Sequence, residues 1–279
     1  METGRASKTA LGVAIRRAAH QIMEQPRVLD DPIAVRLVGS GFPKQMERAM
    51  HPVGRDFRAF MAVRSRYVED QLAVAIAHGV TQYVVLGAGL DTFAWRNPFD
   101  CLQVFEVDFP ATQEWKRTML AAAELSVPQN LTFVPLDFEH HTLAGGLAEA
   151  GLDQRKPAFF GWLGVIPYLT RKAFQTTLET IGHLPAGSGV GFDYALPPET
   201  LGPEGRIAFD ALAGRVAAAG EPFQLFFTPE ELETELRAAG FNRVEQLDYG
   251  DINERYFKDR ADGLKLSAVR LAMLATAWI

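Results

Sequence analysis

Beyond residue 78, short apolar runs alternate with stretches of helical periodicity, and this alternation restricts the possible folds more than any other property of the chain. The runs are YVVLG (83–87), LQVFEVD (102–108), LTFVPLD (131–137), AFFGWLGV (158–165) and GVGFDYA (189–195). Between them lie TQEWKRTMLAAAE (112–124), LAGGLAEAG (143–151) and RKAFQTTLETIGHL (171–184). Strands that alternate with helices imply a parallel sheet covered on both faces. Runs that are apolar on both sides imply buried strands. After residue 195 the pattern breaks. LPPETLGPEGR reads as a loop, IAFDALAGRVAAAG as an inserted helix, and TPEELETELRAAGF as a helix opened by Thr228 and Pro229. RVEQLDYG and SAVRLAMLAT would close the sheet as two further strands.

Residues 1–78 read as helices and loops with no strand-like run. TALGVAIRRAAHQIM has helical spacing, and VLDDPIAVRLV offers Asp30 and Asp31 as N-caps with Pro32 in the first turn. FRAFMAVRSRYVEDQLAVAIAHG is a longer amphipathic helix with Gly79 at its C-terminus.

Composition excludes several classes. The 279 residues carry a net charge of −6, and no basic run exceeds two residues, so a nucleic-acid partner is not expected. A single cysteine, Cys101, excludes an intrachain disulfide and a cysteine-based zinc site. No apolar run near the N-terminus suits a signal peptide, and LAMLATAWI is far shorter than the roughly 20 residues a membrane span needs. The expectation is a cytoplasmic protein with no membrane partner.

The first run continues into a turn, YVVLGAGLDTFAWR (83–96), of the kind that holds nucleotide-like cofactors. Gly87 and Gly89, flanking Ala88, match the first two glycines of the dinucleotide fingerprint, but Thr92 stands where its third small residue belongs. Asp91 adds a negative charge that opposes a pyrophosphate. The sulfonium of S-adenosyl-L-methionine (SAM) tolerates such a turn better. The second run ends in Glu106 and Asp108, either of which suits ribose hydroxyls; Asp108 lies nearer the carboxyl end and is preferred. The third ends in Asp137 and Phe138, a carboxylate for an adenine amine and a ring to pack on it.

GAGLDTFAWR, FEVDFPATQEWKR, PLDF and WLGVIPYLT, with DDPIA and VRSRYVED before them, resemble the leucine carboxyl methyltransferase family. The bacterial branch, similar to polyketide-synthesis O-methyltransferases of the tetracenomycin type, is the nearest in pattern. The resemblance implies a Rossmann-like class I SAM methyltransferase sheet of about seven strands, mostly parallel. It also implies an N-terminal helical cap over 1–78, a SAM-binding core over 79–279 and a helical lid inserted around 196–227. By motif, Arg64 matches the arginine for the carboxylate end of SAM, Gly87 the turn glycine, Asp108 the ribose acid, and Asp137 with Phe138 the adenine pair. Many members carry Glu-Gly-Val at the fourth strand end, where this chain has Leu163-Gly164-Val165. The missing carboxylate argues against a protein C-terminus as substrate and for a small molecule, methylated on a carboxylate or hydroxyl, with a homodimer as the candidate assembly.

Trp162, Leu163, Tyr168 and Tyr194 stand at strand ends where open α/β sheets bind substrates, with Asp193 beside them. No residue stands out as a catalytic base. His140 and His141 are adjacent and cannot share a face, so a metal site is not expected. The rival readings are an NAD-dependent oxidoreductase, opposed by Asp91 and Thr92, and a non-catalytic SAM-fold binding protein, for which Leu163 is the best argument.

Overall fold

The computed structural model describes residues 8–39, 41–137, 142–267 and 269–279. The chain begins with helices α1 (Lys8–Met23), α2 (Pro32–Val38), α3 (Pro43–Met50) and α4 (Arg55–Ala77). Asp31 caps α2, its Oδ1 accepting from the Ala34 N–H at 3.1 Å, with Pro32 in the first turn. Gly79 follows α4 at a φ of 95°, and the Val80 N–H closes on the Ala75 carbonyl at 3.1 Å. Helix α3 was not expected. PKQMERAM is polar on average and buries only Ala49, so few apolar residues mark it.

A buried polar cluster joins these helices. His20 Nε2 accepts from the Val28 N–H at 3.0 Å, while Nδ1 lies 3.0 Å from Glu24 Oε2. Glu24 in turn holds Arg58 of α4 at 2.5 Å, and Arg58 is only 1 % exposed. The sheet alternates strands with helices: β1 (Gln82–Leu86), α5 (Phe93–Arg96), β2 (Gln103–Asp108), α6 (Pro110–Ala122), β3 (Leu131–Pro135), α7 (Leu143–Glu149), β4 (Phe159–Trp162), α8 (Arg171–Gly182) and β5 (Gly189–Ala195). There follow α9 (Pro203–Ala218), α10 (Pro229–Ala238), β6 (Arg243–Leu247), α11 (Tyr249–Ile252) and β7 (Ala272–Trp278). Helix α10 opens with the reciprocal Thr228/Glu231 capping box.

The strand order is β3-β2-β1-β4-β5-β7-β6, with β7 antiparallel to both neighbours and the other pairings parallel. Tyr83 and Val85 of β1 join the core under α4, whereas Val84 and Leu86 join the core under α8 and α10. Both faces are covered, which is why every residue of β1 and β5 is buried. The order reverses between β1 and β4, so a crevice opens beyond their carboxyl ends.

Two boundaries differ from expectation. β4 stops at Trp162 because Gly164 turns the chain at a φ of 71°. α9 begins at Pro203, inside what reads as a Pro/Gly loop, because a proline is well suited to the first helical turn. No helix among the described residues is long and apolar enough to cross a membrane.

Removing Glu24 strands a buried arginine. Glu24→Ala is expected to lower the unfolding free energy by about 3–5 kcal/mol, read by urea denaturation. A loss below about 1 kcal/mol would show that Arg58 finds another partner.

Candidate functional site

The turn after β1 is held by β2. Gly87 and Gly89 adopt φ values of 63° and 49°, in the left-handed region that disfavours side chains. The Ala88 N–H donates to the Val107 carbonyl at 3.1 Å, and the Gly89 N–H donates to Asp108 Oδ2 at 2.5 Å. Asp108 Oδ1 accepts from the Phe109 N–H at 2.7 Å. Burial raises the Asp108 pKa, against the pull of these two backbone donors. A Cβ on Gly87 would stand 2.3 Å from Val165 Cγ2, and one on Gly89 would stand 3.0 Å from Ala10 Cβ of α1. The turn is thus packed between the loop after β4 and the first helix.

Beneath it lies an ionic network. Arg17 of α1 bonds Asp31 at 2.5 Å, Asp91 at 3.0 Å and the Thr92 hydroxyl at 2.7 Å. Thr92 donates to Asp31 at 2.7 Å, and Arg96 grips Glu69 of α4 through two nitrogens at 2.5 and 2.9 Å. Burial works to raise the Asp91 pKa, but Arg17, Lys116 and Arg96 outweigh it and hold the carboxyl below its usual range. This changes the reading of the acidic turn. Asp91 spends its charge on Arg17 and on the Phe93 N–H at 2.8 Å, so it supports the turn from below. Thr92 replaces a small fingerprint residue because its hydroxyl is a junction of this network.

Arg64 lies on the buried side of α4, whereas Arg66 is exposed and pairs with Asp70 at 2.7 Å. Arg64 Nη1 donates to Asp193 Oδ2 at 2.8 Å, while the other Asp193 oxygen accepts from the Gly164 N–H at 2.6 Å. Arg64 Nε is buried without a hydrogen-bond partner. A Cβ on Gly164 would stand 3.0 Å from both terminal nitrogens of Arg64. Asp193, from the end of β5, therefore supplies a carboxylate next to the turn where Leu163 lacks one. The sequence pointed weakly to this residue, as one of a pair with Tyr194. Alternation separates the two: Asp193 faces Arg64, while the Tyr194 hydroxyl bonds Gln246 at 2.6 Å in the opposite core layer.

Tyr168 packs on Phe223 at 5.2 Å between ring centroids, and its hydroxyl pKa is pushed up to about 12 by burial and by Glu221. Thr9 of α1 donates to Glu221 at 2.6 Å, joining the first helix to the segment after α9. Leu163 is partly buried against the core under α4.

Glu106 is buried at the end of β2, with Oε2 at 2.5 Å from Lys116 of α6 and Oε1 without a hydrogen-bond partner. Two expected substrate-pocket residues sit elsewhere. Trp162 is 2 % exposed and stacks on Phe174 at 5.6 Å; it is core, because β4 places it on the α8 face. Tyr194 is core for the reason given. Asp137 follows β3 and is partly buried, whereas Phe138, His140 and His141 lie outside the described residues.

A mostly parallel sheet in this order, with a glycine turn after β1, an acid ending β2 and an antiparallel β7, is the fold of class I methyltransferases. The family model of leucine carboxyl methyltransferase matches residues 10–182, and the chain belongs to that family. It is 35% identical over 295 aligned positions, covering 95% of each chain, to a Bacillus subtilis (strain 168) protein described as "Putative S-adenosyl-L-methionine-dependent methyltransferase YktD". A Frankia alni protein with the same general description is 32% identical over 75% of this chain and 74% of its own. Among solved structures, a protein of Thermobifida fusca YX described as a "putative methyltransferase" superposes with a TM-score of 0.57 at 18% identity, covering 99% of this chain and 96% of its own.

Gly87→Ala tests the turn. Left-handed backbone strain of about 1–2 kcal/mol and the collision with Val165 should both destabilise the protein in chemical denaturation. Val165→Ala, added to it, should recover the steric part and leave the strain. Wild-type stability in the single variant would mean that the turn adapts.

Proposed function

We propose that this chain transfers a methyl group from SAM to an oxygen, carboxylate or hydroxyl, of a small molecule. The carrying observation is Arg64, a buried guanidinium with an unpartnered Nε, set against Gly164 in the turn after β4, one residue before Val165, which packs on Gly87. Such a group suits the carboxylate of a bound amino-acid moiety. Asp108 retains lone pairs for ribose hydroxyls while it fixes Gly89. Asp137 would take the adenine amine. SAM supplies an electrophilic methyl on a sulfonium, and the relatives' descriptions name it.

The remaining chemistry falls to positioning and exclusion of water. In this reading helix α1 and residues 196–227, which Thr9 and Glu221 join, would cover the strand ends, with 1–78 as cap and 79–279 as catalytic core. A hydroxyl acceptor wants a base within hydrogen-bond reach. Asp193 is committed to Arg64 and Gly164, and Tyr168 stays protonated at neutral pH, as a donor. A carboxylate acceptor, already anionic, needs neither, and this favours it.

The protein should show a thermal shift with SAM and S-adenosylhomocysteine and none with NAD, since ligands of the folded state raise apparent stability. The reverse pattern sinks the reading in favour of an oxidoreductase, and cofactor binding without methyl transfer to any small acid or phenol supports a binding protein instead.

Titrations of SAM into variants locate the site. Arg64→Ala should weaken binding more than Arg66→Ala. Asp108→Ala should weaken it by roughly 10- to 150-fold, for a charge-assisted bond of about 1.5–3 kcal/mol. Glu106→Ala should cost stability, through the stranded Lys116, more than affinity. Intact binding in Asp108→Ala with loss in Glu106→Ala would reverse the assignment.

A further inference from the structure

Residues 221–227 run without regular structure between α9 and α10, yet a series of contacts fixes their course. The Glu221 carboxylate accepts from the Thr9 hydroxyl of α1 at 2.6 Å. The Gln224 and Leu225 N–H groups donate to the Pro167 carbonyl at 2.7 and 3.2 Å, and the Gln224 side chain donates to the Tyr168 carbonyl at 3.0 Å. The Phe227 N–H donates at 3.1 Å to the carbonyl of Ala195, which ends β5. These anchors straddle the glycine turn. Thr9 adjoins Ala10, which a Cβ on Gly89 would touch, and Pro167 lies two residues beyond Val165, which a Cβ on Gly87 would strike. A segment that joins the two sides passes over the carboxyl ends of β1 and β4, where the strand order reverses and a ligand would lie. Burial raises the pKa of both Asp108 and Tyr168, and the Glu221 charge adds to both rises, as a carboxylate lying over the crevice would.

The two ends of the segment are held differently. Toward α10 the bonds come from backbone amides, and Phe223 packs on Tyr168. Toward α1 the Thr9–Glu221 bond joins two rotatable side chains at half-buried positions. Helix α1 itself is fixed by the Arg17 network, so the mobile partner is the segment. Helix α9 adds little hold. It packs on the segment through Phe209, against Phe223 and Phe226, and buries only Gly205, Phe209 and Val216 of its 16 residues. Elements with few buried apolar contacts open at low cost in free energy.

We propose that residues 221–227 are a strap over the cofactor crevice, latched to α1 by Thr9 and Glu221, and that SAM enters and S-adenosylhomocysteine leaves when this latch opens. The strap pivots about residues 224–227, which stay bonded to Pro167, Tyr168 and Ala195, and α9 moves with it. Opening of such a cover sets the pace of ligand exchange. This rests on the methyltransferase reading above.

The test is surface plasmon resonance of S-adenosylhomocysteine over the immobilised full chain. Thr9→Val and Glu221→Ala should each raise the association and dissociation rates together, roughly 2- to 10-fold, the change in opening that loss of one such bond gives. The dissociation constant should stay near the wild-type value, because a latch that forms equally in free and bound protein shifts no affinity. Thr9→Ser, which keeps the hydroxyl, should keep the wild-type rates. Thr9→Val added to Glu221→Ala should change nothing further, since the two residues act through one bond. A residue that touches the cofactor would raise dissociation alone, and a merely structural one would lower the melting temperature and move neither rate. A rise in one rate alone, unchanged rates in both single variants, or Thr9→Ser behaving as Thr9→Val overturns the strap while leaving the methyltransferase reading intact. Absence of S-adenosylhomocysteine binding in the wild type overturns both.

Discussion

Arg17 is the residue on which the arrangement of this protein depends. It is buried in α1, yet it reaches Asp31 before α2, Asp91 in the turn after β1, and the Thr92 hydroxyl. Arg96 extends the set to Glu69 of α4. A charge removed from water must be paired where it lies, and the pairing tolerates little movement. The helices before the sheet and the turn that begins it are therefore bound as one unit. Net stabilisation from such a network is modest, because desolvation offsets much of the attraction. Its consequence is positional: α1 is pressed close enough to Gly89 that a methyl group there would touch Ala10.

The same economy appears at the ends of β4 and β5. Leu163 offers no carboxylate beside the turn, but Arg64 is buried and charged and needs one. Asp193 supplies it from the neighbouring strand and at the same time pins the Gly164 N–H. What changes is the room beside Leu163, now apolar, where the acceptor would lie. Tyr168, kept protonated by burial and Glu221, packs on Phe223.

Much of the architecture was legible in advance because it rests on local rules. Continuous apolar runs between amphipathic stretches admit a covered parallel sheet, and the observed β1 to β5 fall within the runs, offset by a few residues at their ends. Capping chemistry placed α2, α4 and α10 closely, through Asp31, Gly79 and Thr228. Where local rules are weak, the reading was weaker. LGPEGR looks like a loop because proline and glycine usually break helices, but Pro203 starts α9. Helix α3 is polar on average and buries only Ala49, so too few apolar residues mark it.

The chain's own pattern of residues determined the fold class, the position of the glycine turn and the acids ending β2 and β3, because spacing along a strand fixes which side chains reach its carboxyl end. Tertiary structure decided what each charged group does. Glu106 and Asp108 share a face, but only packing against α6 gives Lys116 to the first and the Gly89 N–H to the second. Asp91 reads as an acid facing a ligand until Arg17 arrives from 74 residues away. Trp162 and Tyr194 stand at strand ends in sequence and in the core in space, since strand alternation is fixed but the face that opens to the crevice is set by which helices cover the sheet. The electrostatic role of a residue depends on neighbours remote in sequence, and the decay of Coulomb interactions with distance makes those neighbours a matter of three-dimensional proximity alone.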